Sequence, residues 1–284
     1  MKKAFWYVLI TFITIVIISL VVIIDKKVAA PTENKVDEKT EKLKLLNNVD
    51  KKIDYFHYQY LDRYIDYKKK NPSLSDIDIV TRVNIGLDQP FYQNTRQSNK
   101  LNQNSILVNK YIYLPDDYVP SNLETISSNF SNSNKMLVYE AKEQFEKMAT
   151  AALKENYRIR AISAYRSYQY QKGLYGSYQK QDGTSKADTY SARPGYSEHQ
   201  TGLVVDIDNE KVDYNNFETT EEFNWMQKNA HLFGFILRYP KDKVKITGYS
   251  YEAWHFRYVG KEIAKYVYEN NITFEEYYAY FIEK

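Results

Sequence analysis

The sequence predicts an α+β fold preceded by a transmembrane helix, and three observations carry that prediction. Helical and strand-like segments are interspersed without the regular βαβ spacing of a doubly wound sheet. An uncharged apolar run extends from Ala4 to Ile24, between Lys2-Lys3 and Asp25-Lys26-Lys27. Two of the four histidines, His199 and His255, stand in or beside short strand-like segments that also carry carboxylates.

Composition narrows the function classes. A chain of 284 residues is long enough for one sizeable domain plus appendages. With 39 Lys+Arg against 36 Asp+Glu, the net +3 does not mark a nucleic-acid binder. Cysteine is absent, which excludes disulfides, thiol catalysis, Cys-rich zinc modules and a lipid-modified cysteine. The 29 tyrosines, each with an apolar ring and a polar tip, suit both a modest core and a polar groove.

At about 1.5 Å per residue, the apolar run spans roughly the 30 Å hydrocarbon core of a bilayer. Phe5, Trp6 and Tyr7 sit where an interfacial aromatic belt is expected. The run reads as an uncleaved anchor. A cleaved signal peptide, with Val28-Ala29-Ala30 as the processing site, is the alternative. Either way the remainder is exported, so the expected location is the outer face of the cell membrane. The domain reading is an anchor at 1–27, a flexible stalk at 28–50, an extension at 51–100 and the main domain at 101–284.

Apolar residues at Ile53, Phe56, Tyr60 and Tyr64, closed by Lys68-Lys69-Lys70, predict a helix. Alternation at Ile77, Ile79, Val83 and Ile85 predicts a strand, as does the stretch from Leu107 to Leu114. Ser127 to Asn134 reads as a loop whose end caps a helix with Leu137, Ala141, Phe145, Met148 and Ala152 on one face. Tyr157 to Ala164 reads as a strand delivering Tyr165-Arg166, and Ser167 as the cap of a helix to about Gln179. Residues 181 to 195 read as a long loop rimming a groove. Further strands are expected at Leu203 to Ile207, Phe235 to Leu237 and Trp254 to Phe256. Capping boxes are expected at Thr219 to Glu222 and Thr273 to Glu276.

Asp206 ends a buried strand and needs a partner for its charge, which a metal supplies and an ordinary salt bridge would also supply. Two imidazoles and a carboxylate form a common ligand set for catalytic zinc, with one position left open for water. Glu252, three residues before His255, suits the general base beside such a water. Taken alone, Glu252 reads better as an exposed residue and His255 as a core histidine packed on Trp254; the two segments together favour a metal. His57 and His231 read as structural or surface residues.

The segment Ser197-Glu198-His199-Gln200-Thr201-Gly202-Leu203-Val204-Val205-Asp206 resembles the Ser-x-His-x-x-Gly-x-Ala-x-Asp motif of the LAS-type zinc D-alanyl-D-alanine carboxypeptidases related to VanY. Glu252-Ala253-Trp254-His255 resembles their Glu-x-Trp-His motif. Ser163 to Ser167 with Gln171 resembles their substrate-binding segment. Segments around Phe233 to Pro240 and Phe256 to Gly260 also look familial. The likeness covers roughly residues 100 to 270, with Val204 a departure where alanine is usual.

The resemblance implies a central antiparallel sheet flanked by helices. It implies Zn2+ held by His199, Asp206 and His255, with Glu252 as base. Arg166 would stabilise the developing oxyanion or hold the substrate carboxylate, and Ser197 and Gln171 would hydrogen-bond the peptide. The implied partners are peptidoglycan stem peptides and, through the N-terminal helix, the membrane; the chain is expected to be a monomer that binds no nucleic acid. Removal of a terminal D-alanine is the expected reaction, with D,D- and L,D-specificity both open. The alternatives are a D,D-dipeptidase, a non-catalytic wall-binding or sensing module, and a structural partner in a wall-synthesis complex.

Overall fold

The computed structural model describes residues 38–283. The apolar run read as an anchor lies outside the described residues. Among the described residues no helix is long and apolar enough to cross a membrane. The chain divides into two compact units, the first ending at Val80.

In the first unit, α1 covers residues 38–45 and a 3-10 turn follows at Val49–Lys51. Leu46 and Val49 are buried there, so residues 38–50 carry structure where a flexible stalk was expected. The helix expected from Ile53 starts later: α2 is Leu61–Lys70, with Leu61, Tyr64 and Ile65 on its buried face. Phe56 packs its ring on Tyr64 instead of extending the helix (centroids 4.9 Å apart). The strand expected at Ile77 to Ile85 is a helix, α3 (Asp76–Asn84). Ile79, Val80 and Val83 are fully buried at helical spacing, and the Ser75 hydroxyl accepts from the Asp78 amide (3.1 Å), a helix-start bond.

The second unit begins at Thr81, within α3, and its first strands are β1 (Arg96–Gln97) and β2 (Ile112–Tyr113), paired in parallel. Only these two residues of the expected Leu107–Leu114 strand form one. The Asn109 side chain accepts from the Tyr111 and Ile112 amides (2.9 and 3.1 Å), bending the chain ahead of them. A hairpin of β3 (Leu123–Thr125) and β4 (Met136–Val138) follows, so α4 (Tyr139–Lys154) starts from a strand and no side chain caps it. The apolar face of α4, from Ala141 to Ala152, is buried as its spacing predicts.

Next come β5 (Arg160–Ser163) and α5 (Tyr168–Asp182), whose N-terminus is capped by the Ser167 hydroxyl. The long loop expected at 181–195 is mostly helix: α5 runs to Asp182, Gly183 turns the chain at φ +80°, and α6 occupies Thr184–Tyr190. Ala187 anchors α6 in the interior, a single apolar contact too sparse to show as a periodicity. The remaining elements are β6 (Val204–Asp208), α7 (Glu221–Asn229), β7 (Phe235–Leu237), α8 (Val244–Thr247), β8 (His255–Tyr258), α9 (Lys261–Asn270) and α10 (Phe274–Phe281). Thr220 rather than Thr219 caps α7, so the third helical position is Phe223 and no box forms; the Glu222 side chain accepts from Asn209 and Lys211. The box at Thr273 and Glu276 is complete.

The central sheet is antiparallel throughout, in the order β5-β6-β8-β7. Strand alternation gives its two faces different jobs. Leu203, Val205 and Ile207 of the β6 segment, with Phe256 and Tyr258 of β8, join Phe145 and Met148 of α4 in the main core. Asp206 and His255 therefore point to the opposite face, and the register sets them directly across from each other.

Candidate active site

His199 reaches this face from a 3-10 turn, Glu198–Thr201, just ahead of β6. The turn ends at Gly202 with φ +68°, where a Cβ would lie 2.8 Å from Leu123 Cδ2, so only glycine fits. One nitrogen of His199, Nδ1, is 2.6 Å from the Ala164 carbonyl oxygen, which leaves Nε2 to face Asp206 Oδ2 at 3.3 Å. His255 Nδ1 lies 3.2 Å from Asp206 Oδ1 and 3.3 Å from Glu252 Oε2. Glu252 sits in the turn before β8, and the His255 amide donates to its carbonyl, which brings both side chains to one side.

Ligand atoms of His199, Asp206 and His255 fall within 4.8 Å of one another, all buried. Asp206 Oδ1 makes no well-formed hydrogen bond and has only the His255 imidazole beside it, a thin set of partners for a buried carboxylate oxygen. A divalent cation at the convergence point would satisfy it, and Nε2 of His199 and Nδ1 of His255 complete a donor set that suits zinc. Burial and the nearby Arg166 charge lower His199 to about 4, so its imidazole is neutral and free to bind metal. Burial alone would raise Asp206, but His199 and Arg166 hold it well below the usual carboxylate range.

Glu252 is the exception among these carboxylates: burial pushes it up to about 7. Burial would lower His255, yet Asp206 and Glu198, with Glu252 adding to them, raise it to about 9. Arg166 donates from Nη2 to Asp206 Oδ2 (2.6 Å) and from Nε to the Ser163 hydroxyl (2.9 Å). All of these groups line one cavity of about 630 Å³, walled further by Tyr190, Tyr214, Tyr249, Tyr251 and Trp254.

Ser197 and Gln171 also line this cavity. Gln171 donates to the Ala192 carbonyl (2.8 Å), which turns its own Oε1, buried and without a partner, into an available acceptor. Val204 is fully buried and does not line the cavity, so its extra methyls do not narrow the site. His231 lies apart, stacked on Tyr268 at 3.8 Å.

Sequence reasoning missed a buried ion network behind the site. Glu198 accepts from Arg238 (3.0 Å) and Arg257 (2.7 Å), and Arg238 makes a bidentate pair with Glu275 of α10 (2.8 and 2.6 Å). Burial would raise Glu198, but the two arginines hold it at about 2. Its Oε2 stands 3.9 Å from His255 Nε2, so a fixed negative charge backs the imidazole. The available signal was an arginine inside each apolar strand-like run, Phe235-Ile236-Leu237-Arg238 and His255-Phe256-Arg257-Tyr258.

Comparison with known proteins agrees with this geometry. The VanY family, D-alanyl-D-alanine carboxypeptidase, matches residues 134–261. YodJ of Bacillus subtilis (strain 168) is 44% identical over 182 residues, 61% of this chain and 66% of that protein. The bifunctional D-Ala-D-Ala dipeptidase and carboxypeptidase VanXYC of Enterococcus gallinarum is 34% identical, covering 61% of this chain and 93% of its own. Among solved structures, the LdcB LD-carboxypeptidase superposes with a TM-score of 0.63 at 40% identity, over 66% of this chain and 91% of that one. A VanB-type VanY D,D-pentapeptidase in complex with Zn(II) gives 0.53 at 33% identity, over 61% and 98%. The metal that fits the His199, Asp206 and His255 donor set is zinc. With this site on this sheet and relatives of this similarity, the chain belongs to the VanY family of D-alanyl-D-alanine carboxypeptidases.

Proposed function

We propose that the protein removes the terminal D-alanine from peptidoglycan stem peptides at the outer face of a membrane, anchored by its N-terminal apolar run. The observation that carries this reading is the meeting of His199, Asp206 and His255 with Glu252 in one cavity. His199, Asp206 and His255 would hold the zinc, which when bound supplies the positive charge that acidifies water and polarises a carbonyl.

The chain's own groups supply the rest. Glu252, with a carboxyl raised by burial to about 7, takes a proton from water at neutral pH and returns it to the departing amine. Arg166 has two of its nitrogens committed to Ser163 and Asp206, and its remaining donors meet the substrate carboxylate or the developing oxyanion. Gln171, with its free Oε1, accepts from a peptide amide, and Ser197 adds a hydroxyl on the same wall. A wall-binding module would have no use for a buried, basic Glu252, which argues for turnover. The greater likeness to the LD-carboxypeptidase LdcB favours the tetrapeptide over the pentapeptide.

The test is incubation of the full chain in detergent with tetra- and pentapeptide muropeptides, with zinc and after chelation, reading free D-alanine by mass spectrometry. Release that requires zinc is expected, faster from the tetrapeptide. Failure to release from either peptide, with one equivalent of zinc bound, would falsify the hydrolase reading.

A further inference from the structure

We infer that Lys110 is a positioning residue that sets the shape of the substrate cavity by tying two of its lining segments to one buried cation. The inference rests on the reading of this cavity as the peptide site. Lys110 precedes the residues matched by the VanY family and is 3% exposed. Its Nζ donates to the Asp188 carbonyl at 2.6 Å and to the Gly248 carbonyl at 2.5 Å. Those carbonyls belong to two segments that line the cavity. Asp188 lies in α6 just before Tyr190, Ser191 and Ala192; Gly248 leads directly into Tyr249, Ser250 and Tyr251.

The surroundings are built for a cation. Nζ stands 4.4 Å from the Tyr249 ring centroid and 4.6 Å from that of Phe91, with Tyr92 at 5.7 Å. Gly248 has φ +75°, and a Cβ there would lie 2.6 Å from Phe91 Cζ, so the backbone closes on the cage as tightly as a glycine allows. Burial lowers Lys110 to about 8, which leaves it charged at neutral pH. The nearest carboxylate, Asp188, is already engaged by Arg193 (3.0 and 2.8 Å) and by the Tyr175 hydroxyl (2.7 Å).

A desolvated ammonium without its own carboxylate is costly, and an apolar side chain would fill this space with less penalty. What an apolar side chain lacks is donors that reach both walls at once. The walls also share the bond from the Ser250 amide to the Thr189 carbonyl (2.8 Å), which lies beside the Lys110 contacts and forms one seam with them. Tyr190 and Tyr251 line the same cavity as Glu252, so a seam that fixes their two segments together fixes the shape of that side of the cavity, and with it which residue before the scissile bond is admitted.

The experiment compares the full-length wild type with Lys110→Met, Phe91→Leu and a core control, Phe145→Leu, by hydrogen exchange and by steady-state kinetics on both peptides. In Lys110→Met, amides of residues 187–192 and 247–251 should exchange about tenfold faster, with exchange in the central sheet and zinc stoichiometry unchanged. KM should rise about tenfold with kcat within about twofold, and the preference between the two peptides should fall toward one. Phe91→Leu should move the same readouts less far and provides the test if Lys110→Met does not fold. Phe145→Leu should lower Tm and leave both the exchange of the walls and KM alone. Unchanged exchange in the two walls overturns the brace, and so does a KM shift no larger than the control's. If the wild type releases no D-alanine, the hydrolase reading fails, while wall exchange still decides the role of Lys110.

Discussion

Burial is what makes Glu252 basic. Asp206 and Glu252 lie in the same site, yet Asp206 is held ionised by His199 and Arg166 while Glu252 is pushed up to about 7. On the proposed reading, one carboxylate would thereby hold a metal and the other would move a proton. Glu252→Gln keeps the shape and removes the base. It should still bind one equivalent of zinc by elemental analysis, with kcat/KM for D-alanine release reduced by about 10²–10⁴. A variant that retains full turnover would remove Glu252 from the mechanism. These residues were readable because each belongs to a short motif with its own chemistry. Glu198 sits in the same motif, but its role is set by Arg238 and Arg257, distant residues that no local pattern connects to it.

Elements place those side chains by register and by turns. Asp206 and His255 face one another because β6 and β8 pair there, and Gly202 lets the His199 turn lie against Leu123 and Val138. The strands of this sheet were legible from short apolar runs, and Ser167 and Thr273 were legible as caps. Helix α3 was not, because Ile77, Ile79, Val83 and Ile85 mimic alternation while the buried set is Ile79, Val80 and Val83. Helix α6 was hidden by its polar composition. Helix α10 has a task beyond covering Ile236 and Val259: its Glu275 neutralises Arg238. Glu275→Ala should leave a buried guanidinium short of its partner and cost about 3–5 kcal/mol in urea denaturation. A loss below about 1 kcal/mol, the range of an exposed pair, would show that the network is not structurally important.

At the scale of the whole second unit, the candidate metal site and the core share one sheet, the apolar face to one side and Asp206 and His255 to the other. Zinc binding should therefore be felt as fold stability. Chelation should lower Tm by roughly 5–10 °C, given about 2.7 kcal/mol at a zinc concentration a hundredfold above Kd. Calorimetry with and without chelator checks this, and an unchanged Tm in a chain confirmed to lose zinc would uncouple site from fold. Motif order in the sequence was enough to anticipate that sheet, but not that residues ahead of the family-matched region, Phe91 and Lys110, reach the cavity walls. Such contacts are made by isolated residues with no spacing rule to reveal them. The Glu275–Arg238–Glu198 chain adds a dimension of time. A protein is made from its N-terminus, and units fold as they emerge. His199, Asp206 and His255 all leave the ribosome before Glu275 does, so the charge network behind His255 is completed only when α10 docks. A nascent chain stopped before α10 would carry His199, Asp206 and His255 and still lack part of the backing behind them, which makes the docking of α10 the step that completes the site.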